Sequence, residues 1–214
     1  MKKTIKLISA VCMVLLISAF TISKTVGGGG YKIGDLAEDF SLKNIDGNMV
    51  SLADYKDAKG YIVTFTCNTC PYAVMYEDRI IALDKKYAPK GYPVIAIMPN
   101  DTNIKPDDDL NAMKKRAKEK GFTFPYLIDK EQTVFPKYGA TKTPHMFVLK
   151  KTKKGNVVKY IGAIDDNYKD ASAVTTKYVE EAVDALLKGQ EIKEKETKAI
   201  GCSIKVAKAT SSVN

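Results

Sequence analysis

Two cysteines separated by two residues, Cys67 and Cys70, are the residues of this chain with the clearest chemical potential. They follow a run of β-branched and aromatic residues at positions 61–66, which predicts a buried strand. Pro71 comes next, and apolar residues at helical spacing continue to Tyr87, so a helix is expected to begin directly after the pair. A dithiol at the start of a helix is suited to making and breaking disulfide bonds.

The two thiols are expected to have different roles. Unpaired N–H groups at a helix N-terminus favour thiolate over thiol, and the thiolate is the attacking species. We therefore predict Cys67 to be an exposed attacking thiolate and Cys70, already inside the helix, to be the more buried resolving thiol. One alternative is half of a zinc site, which needs two further ligands. Another is a permanent structural disulfide, although so short a loop stabilises little.

Thr143 and Pro144 form a second chemical feature, because they directly precede a predicted strand. A proline at this place suggests a cis peptide bond. Such a loop would face the cysteine pair and turn backbone polar groups toward a bound thiol or peptide. An ordinary trans proline that opens a strand is the alternative.

Two further residues are candidates for the same site. His145 is the only histidine of the chain. It either polarises an incoming thiol, as imidazoles do near neutral pH, or points away from the cysteines as a strand residue. Cys202 either folds back as a third redox thiol or stays a free cysteine on a loose tail.

The order of predicted elements is strand, helix, strand, helix, strand, helix, and then an antiparallel hairpin and a last helix at about 172–187. Alternation of strands and helices predicts an α/β fold, and the terminal hairpin makes its sheet mixed. Asp46 and Gly47 between two short alternating runs predict an additional N-terminal β-hairpin.

With these features the chain resembles the redoxin branch of the thioredoxin superfamily, near the alkyl hydroperoxide reductase/thiol-specific antioxidant group and the TlpA-like reductases. The resemblance implies a thioredoxin-like fold with a central mixed sheet flanked by helices, and it implies that Cys67, Cys70 and Pro144 lie at the active site. It rests on four segments: 34–40 (GDLAEDF), 63–71 (VTFTCNTCP), 127–129 (LID) and 138–144 (YGATKTP).

Some positions depart from the patterns of such relatives. Thr66 precedes the first cysteine where many relatives have Trp, and we expect it to support the site. Thr64 lies where a peroxidatic Thr would lie, but Tyr61 replaces the Pro expected before it. A peroxidase would also need a guanidinium group from Arg79 or Arg116, which are the only arginines of the chain.

These features lead to one leading hypothesis and two alternatives. The leading one is an exported thiol–disulfide oxidoreductase that needs no cofactor and no metal. Its partners would be protein or small-molecule thiols and disulfides and a membrane or periplasmic electron donor. The alternatives are a thiol-dependent peroxidase and a copper-binding chaperone that uses Cys67, Cys70 and His145, since soft thiolates and imidazole suit copper.

Composition divides the chain into four parts. Residues 1–23 carry lysines and then an apolar run, which predicts a secretory signal, with an uncleaved N-terminal anchor as the alternative. We therefore expect an extracytoplasmic or periplasmic location. Residues 24–32 form a predicted flexible linker, 33–189 the redoxin domain, and 190–214 a tail expected to be mobile apart from a packed patch at 200–204.

The charge balance argues against a nucleic-acid partner. The chain has 34 basic and 25 acidic residues and a formal charge of +9. Its basic residues are mostly lysines interspersed with acids, and they are not combined with aromatic residues as on nucleic-acid surfaces. Solvated helix faces explain these charges.

Overall fold

The structure is a computed structural model that describes residues 29–207. The predicted signal at 1–23, the first part of the predicted linker and residues 208–214 lie outside the described residues. Within the described part, no helix is long and apolar enough to cross a membrane.

A mixed eight-stranded sheet forms the centre of the fold, and a separate two-stranded sheet lies beside it. The strands are β1 (Leu36–Ala37), β2 (Ser41–Asn44), β3 (Met49–Ser51), β4 (Gly60–Phe65), β5 (Val94–Met98), β6 (Tyr126–Ile128), β7 (Lys142–Thr143), β8 (His145–Thr152), β9 (Gly155–Gly162) and β10 (Cys202–Ser203). The α-helices are α1 (Pro71–Tyr87), α2 (Leu110–Lys120), α3 (Phe135–Tyr138) and α4 (Tyr178–Leu187). This is the predicted thioredoxin-like α/β fold.

The main sheet has the order β1-β9-β8-β4-β5-β6-β2-β3. Strands β4, β5 and β6 are parallel, whereas β8 runs antiparallel to β4 and β9 antiparallel to β8. Strands β2 and β3 form the predicted N-terminal hairpin, which joins the sheet through β6. The C-terminal end of β4 therefore lies next to the loop before β8, at one end of these central strands. The candidate residues lie there.

Every residue of β4 is buried, because both faces of the sheet are covered. Ile62 belongs to one core layer together with residues of α1, α2 and α4, whereas Val63 and Phe65 belong to the other layer. This alternation follows from the two-residue period of a strand. It also decides the face on which each residue near the strand end lies, since Cys67 and Cys70 pack with the first layer.

Two predicted helices are shorter in the structure. The last helix begins at Tyr178 and not near 172, because residues 171–173 form a separate 3-10 turn. That turn is stabilised by Asp170, whose carboxylate accepts from the Ser172 N–H. The helix predicted after Asp129, at about 131–138, forms only over Phe135–Tyr138. The Asp129 carboxylate accepts from the N–H groups of residues 133–135 and holds the preceding residues in a loop.

The described end of the predicted flexible linker packs on the domain. Tyr31 donates its N–H to the Lys137 carbonyl oxygen at 3.1 Å, and its ring meets Tyr138 edge to face at 5.0 Å between centroids. Gly30 lies so close to Gly139 that a Cβ on Gly30 would overlap its backbone. Residues 30 and 31 are therefore part of the domain surface.

The packed patch predicted at 200–204 is confirmed, whereas the rest of the described tail, predicted to be mobile, also contacts the domain. Glu196 pairs with Ile161 at the edge of the main sheet, and the Thr197 hydroxyl accepts from the Ala163 N–H at 2.9 Å. Further on, β10 pairs antiparallel with β7, and the Ile204 side chain is buried in the second core layer. The tail thus runs across the domain to the edge that carries Thr143.

We expect Gly60→Ala to destabilise the fold by about 1–3 kcal/mol through overpacking. A Cβ at position 60 would lie 2.1 Å from the Leu149 carbonyl oxygen and 2.3 Å from Cε1 of Tyr92. The measurement is the free energy of unfolding in urea. Gly29→Ala is the matched control, because a Cβ there meets nothing within 4 Å. Equal stability of the two variants would contradict the packing described for β4.

Candidate active site

The cysteine pair lies in the short connection between β4 and α1. Cys70 is the N-cap residue of α1, with extended backbone angles, and Pro71 is the first helical residue. Proline is tolerated there because its missing N–H would have no helical partner. Cys70 is therefore at the boundary of the helix, and the prediction that it lies inside the helix is wrong. Cys67 lies in the connection between β4 and the helix.

Three sulfur atoms converge on the loop before β8. Cys67 Sγ lies 3.3 Å from the Thr143 hydroxyl oxygen, and Cys70 Sγ lies 3.1 Å from the Thr143 carbonyl oxygen. The Thr143–Pro144 peptide bond is cis, as predicted. The described disulfide, however, joins Cys70 to Cys202, with their Cα atoms 5.9 Å apart, and Cys67 is the free thiol among the described residues. The tail cysteine is thus part of the cluster.

The prediction that Cys67 is exposed and readily ionised is wrong for this structure. Its side chain is only 3% exposed. Burial raises the pKa of the Cys67 thiol, and the negative charge of Asp108 raises this pKa further. The Thr143 hydroxyl and the N–H groups of residues 69 and 70 lower the same pKa, but their effect is smaller. Desolvation therefore outweighs the helix N-terminus.

Asp108 is the functional candidate that sequence reasoning missed. It is fully buried directly below the two residues between the cysteines. Its carboxylate accepts from the Asn68 N–H at 2.9 Å, the Thr69 hydroxyl at 3.1 Å and the Asn100 side-chain amide at 2.7 Å. The sequence shows only three consecutive aspartates before α2, and only the fold reveals that the middle one points inward.

Asn100 links this carboxylate to the tail. Its amide donates to Asp108, while its carbonyl oxygen accepts from the Lys205 N–H at 2.9 Å. The Lys205 carbonyl oxygen in turn accepts from the Asp101 N–H and from the Gln132 side chain, each at 2.8 Å. A continuous chain of hydrogen bonds therefore connects the residues between the cysteines with the segment that carries Cys202.

His145 and Thr66 are close in sequence to residues of the cysteine cluster, but their contacts are with strands of the main sheet and the adjoining loop. The His145 ring packs on Phe147, a residue of the second core layer, and its Nδ1 accepts from the Thr141 N–H at 3.3 Å. Burial lowers the pKa of His145 to about 4, so it is uncharged near neutral pH. The interpretation as a strand residue that points away is supported. Thr66 is buried, and its N–H donates to the Ile97 carbonyl oxygen at 2.9 Å.

The groups that a peroxidase would need are engaged elsewhere. Arg116 forms a two-pronged ion pair with buried Glu77, with both contacts at 2.7 Å. Arg79 donates to Asp165 at 2.6 Å and to backbone carbonyl groups of the following loop. Thr64 is fully buried within β4, and within residues 29–207 its hydroxyl has no hydrogen-bond partner.

Comparisons with known proteins agree with this fold. A protein of unknown function from Geobacillus kaustophilus has a structure that is 36% identical, with a TM-score of 0.76, over 83% of this chain and 93% of that one. A hypothetical protein from Sinorhizobium meliloti 1021 is 33% identical, with a TM-score of 0.76, over 84% and 97% of the two chains. The thiol-disulfide oxidoreductase ResA of Bacillus thuringiensis strain Al Hakam is 30% identical over 61% of this chain and 69% of its own.

The fold and the cysteine cluster define a redoxin of the thiol–disulfide oxidoreductase class. The model of the AhpC/TSA family matches residues 33–160, which include both cysteines of the pair and the Thr143–Pro144 loop. The chain belongs to the AhpC/TSA family.

We expect Asp108→Asn to lower the pKa of Cys67, because the substitution removes the negative charge that opposes the thiolate while the burial stays. The measurement is the pH dependence of Cys67 alkylation in the reduced protein, followed by mass spectrometry of the Cys67 peptide. Its midpoint should move to lower pH. Asp107→Asn is the control, since that side chain is exposed. Identical midpoints for both variants would contradict an effect of Asp108 on the pKa of Cys67.

We expect His145→Asn to make stability less sensitive to acid. The folded-state pKa is about 4 against an ordinary 6.5, so the unfolded chain binds more protons between these values. Stability is then lost as pH falls below 6.5, by about 2–3 kcal/mol between pH 7.5 and 4.5. Urea unfolding of both proteins measures this, with Asn keeping an acceptor for the Thr141 N–H. Parallel pH profiles would contradict a buried neutral His145.

Proposed function

We propose that the protein acts as an exported thiol–disulfide oxidoreductase in which Cys67 attacks, Cys70 resolves and Cys202 serves as a third redox thiol. The observation that carries the proposal is the convergence of two of these sulfurs on Thr143, with the third bonded to Cys70. A thiolate can attack a neighbouring disulfide directly when the sulfur atoms lie close together. This exchange is the chemistry of thiol–disulfide oxidoreductases.

The steps follow from the positions of the three sulfurs. The Cys67 thiolate attacks a substrate disulfide, forms a mixed disulfide and releases one substrate thiolate. Cys70 then attacks the Cys67 sulfur, which releases the second substrate thiolate and leaves a Cys67–Cys70 disulfide. Two electrons have passed from the cysteine pair to the substrate. The reverse sequence would oxidise a substrate dithiol.

Cys202 extends this sequence by one exchange. Its thiolate attacks Cys70, forms the Cys70–Cys202 disulfide and returns Cys67 as a free thiolate. A dithiol electron donor then reduces Cys70–Cys202 and is itself oxidised to a disulfide. Cys202 is half-buried whereas Cys67 is buried, so the donor would meet the tail cysteine first. The oxidised protein thereby keeps an unoxidised Cys67.

The two alternative functions receive less support from the geometry. A peroxidatic cysteine needs a guanidinium group beside it, but Arg79 and Arg116 are held by Asp165 and Glu77. A copper site that includes His145 would need its ring nitrogens, and Nδ1 accepts from a backbone N–H on the side of Phe147. Dithiol exchange needs none of these groups.

The proposed location outside the cytoplasm rests on the sequence of residues 1–23 and on the redox chemistry of the site. Lysines followed by an apolar run are typical of secretory signals. Disulfides between tail and domain persist in oxidising compartments. We propose a periplasmic or other extracytoplasmic location. The protein would be either released there or held by an uncleaved N-terminal anchor. It would receive electrons from a membrane or periplasmic donor.

Substrate trapping tests the proposal. In the double variant Cys70→Ser with Cys202→Ser, mixed disulfides through Cys67 should accumulate in cells, because both resolving thiols are absent. Protein adducts should appear on non-reducing gels, adducts of low-molecular-weight thiols should appear as a mass increase of the intact protein, and both should disappear on reduction. Adding Cys67→Ser to the same background is the matched control and should trap nothing.

The outcome also separates the alternatives. No trapped species, together with no reduction of insulin or glutathione disulfide by the unaltered protein, would sink the proposal. A reaction of Cys67 with hydrogen peroxide far faster than that of free cysteine would favour the peroxidase. Tight Cu(I) binding that depends on His145 would favour the copper chaperone.

A further inference from the structure

The short strand β10 occupies the edge of the loop that carries Thr143. Cys202 is in register with Thr143, and Ser203 with Lys142, in an antiparallel pair. An unpaired strand edge is a surface to which an extended peptide can add by backbone hydrogen bonds. Here that edge, directly beside Cys70, is already filled by the tail of the same chain.

The tail is held close against this edge. A Cβ at Gly201 would lie 2.2 Å from the Thr143 carbonyl oxygen and 3.1 Å from the Pro144 nitrogen. The backbone at position 201 therefore approaches the Thr143–Pro144 peptide as closely as only glycine allows. No room is left for a second strand between the tail and the loop.

Contacts beyond β10 keep the tail in place. Ile204 is buried in the second core layer, and its N–H donates to the Thr141 carbonyl oxygen at 3.3 Å. The Lys205 N–H donates to the Asn100 side chain, and the Lys205 carbonyl oxygen accepts from the Gln132 side chain. The tail does not depend on the Cys70–Cys202 bond alone, so it is expected to stay docked when that bond is reduced.

What remains open beside the sulfurs is small. A cavity of about 140 Å³ is lined by Cys67, Cys70, Cys202, Thr143 and Asn100. Lys105 and Lys205 also line it, so its walls carry positive charge. Walls of this charge suit one end of a low-molecular-weight disulfide that bears carboxylates, and Cys67, at 3% exposure, is out of reach of a folded protein surface.

We propose that the docked tail restricts the disulfides that Cys67 attacks to low-molecular-weight compounds by filling the edge at which a protein strand would pair. This inference rests on the proposed function and names its substrate class. The net reaction is reduction of one small disulfide to two thiols, with oxidation of the Cys70 and Cys202 thiols to their disulfide. A dithiol donor then restores both thiols.

Two variants separate the tail from its thiol. Cys202→Ser keeps the tail docked and removes only the sulfur. A chain that ends at Thr197 removes both, while it keeps the contacts of Glu196 and Thr197 with the domain. Both are assayed with dithiothreitol as donor, against glutathione disulfide and against insulin, with Gly29→Ala as a control distant from the site.

The shortened chain should reduce insulin with a kcat/KM about tenfold or more above that of Cys202→Ser, because only the shortened chain frees the edge. The two should differ far less on glutathione disulfide. Gly201→Ala keeps Cys202 but should undock the tail locally, and it should likewise gain insulin activity. Hydrogen exchange at the amides of residues 204 and 205 verifies the undocking.

Equal insulin rates for Cys202→Ser and the shortened chain, with the shortened chain folded by circular dichroism, would overturn the tail's role. Faster reduction of insulin than of glutathione disulfide by the unaltered protein would do the same. Failure of the proposed function looks different, since no variant would then reduce either substrate in a manner that depends on Cys67.

Discussion

Contact between the cysteine sulfurs and Thr143 is the interaction on which the rest of the site depends. It requires that β4 and β8 lie side by side, because β4 delivers the cysteines at its end and β8 begins just after the Thr143–Pro144 loop. The antiparallel register of these central strands, with Phe65 opposite His145, fixes that meeting point. Backbone hydrogen bonds deep in the sheet therefore set the positions of the reactive atoms.

The site is enclosed to a degree that changes its chemistry. Cys67 is 3% exposed, and the loss of solvation on burial opposes its ionisation. The buried carboxylate of Asp108 adds to this effect and at the same time holds the Asn68–Thr69 connection. Positioning and reactivity are thus linked, since the group that orders the loop also makes the thiol a weaker acid.

The tail is part of the cysteine cluster because three independent contacts bring it there. Pairing of β10 with β7, burial of Ile204 and the hydrogen bonds of Lys205 to Asn100 and Gln132 each hold a different stretch of backbone. Through Asn100 and Asp108 the same segment is connected to the residues between Cys67 and Cys70. The tail and the residues between the two cysteines therefore belong to one hydrogen-bond network.

The sequence by itself determined the α/β fold, the strand and helix around Cys67 and Cys70 and the N-terminal hairpin, and it favoured a cis bond before Pro144 over a trans bond. These follow from local signals: side-chain periodicity, turn residues and proline placement. Only the tertiary structure decided that Cys67 is buried, that Asp108 lies below it, that His145 faces the other core layer and that Cys202 joins Cys70. The Asp108 contact and the Cys70–Cys202 bond join segments 40 and 132 residues apart, and the burial of Cys67 and His145 depends on how the whole sheet is covered, which no local pattern encodes.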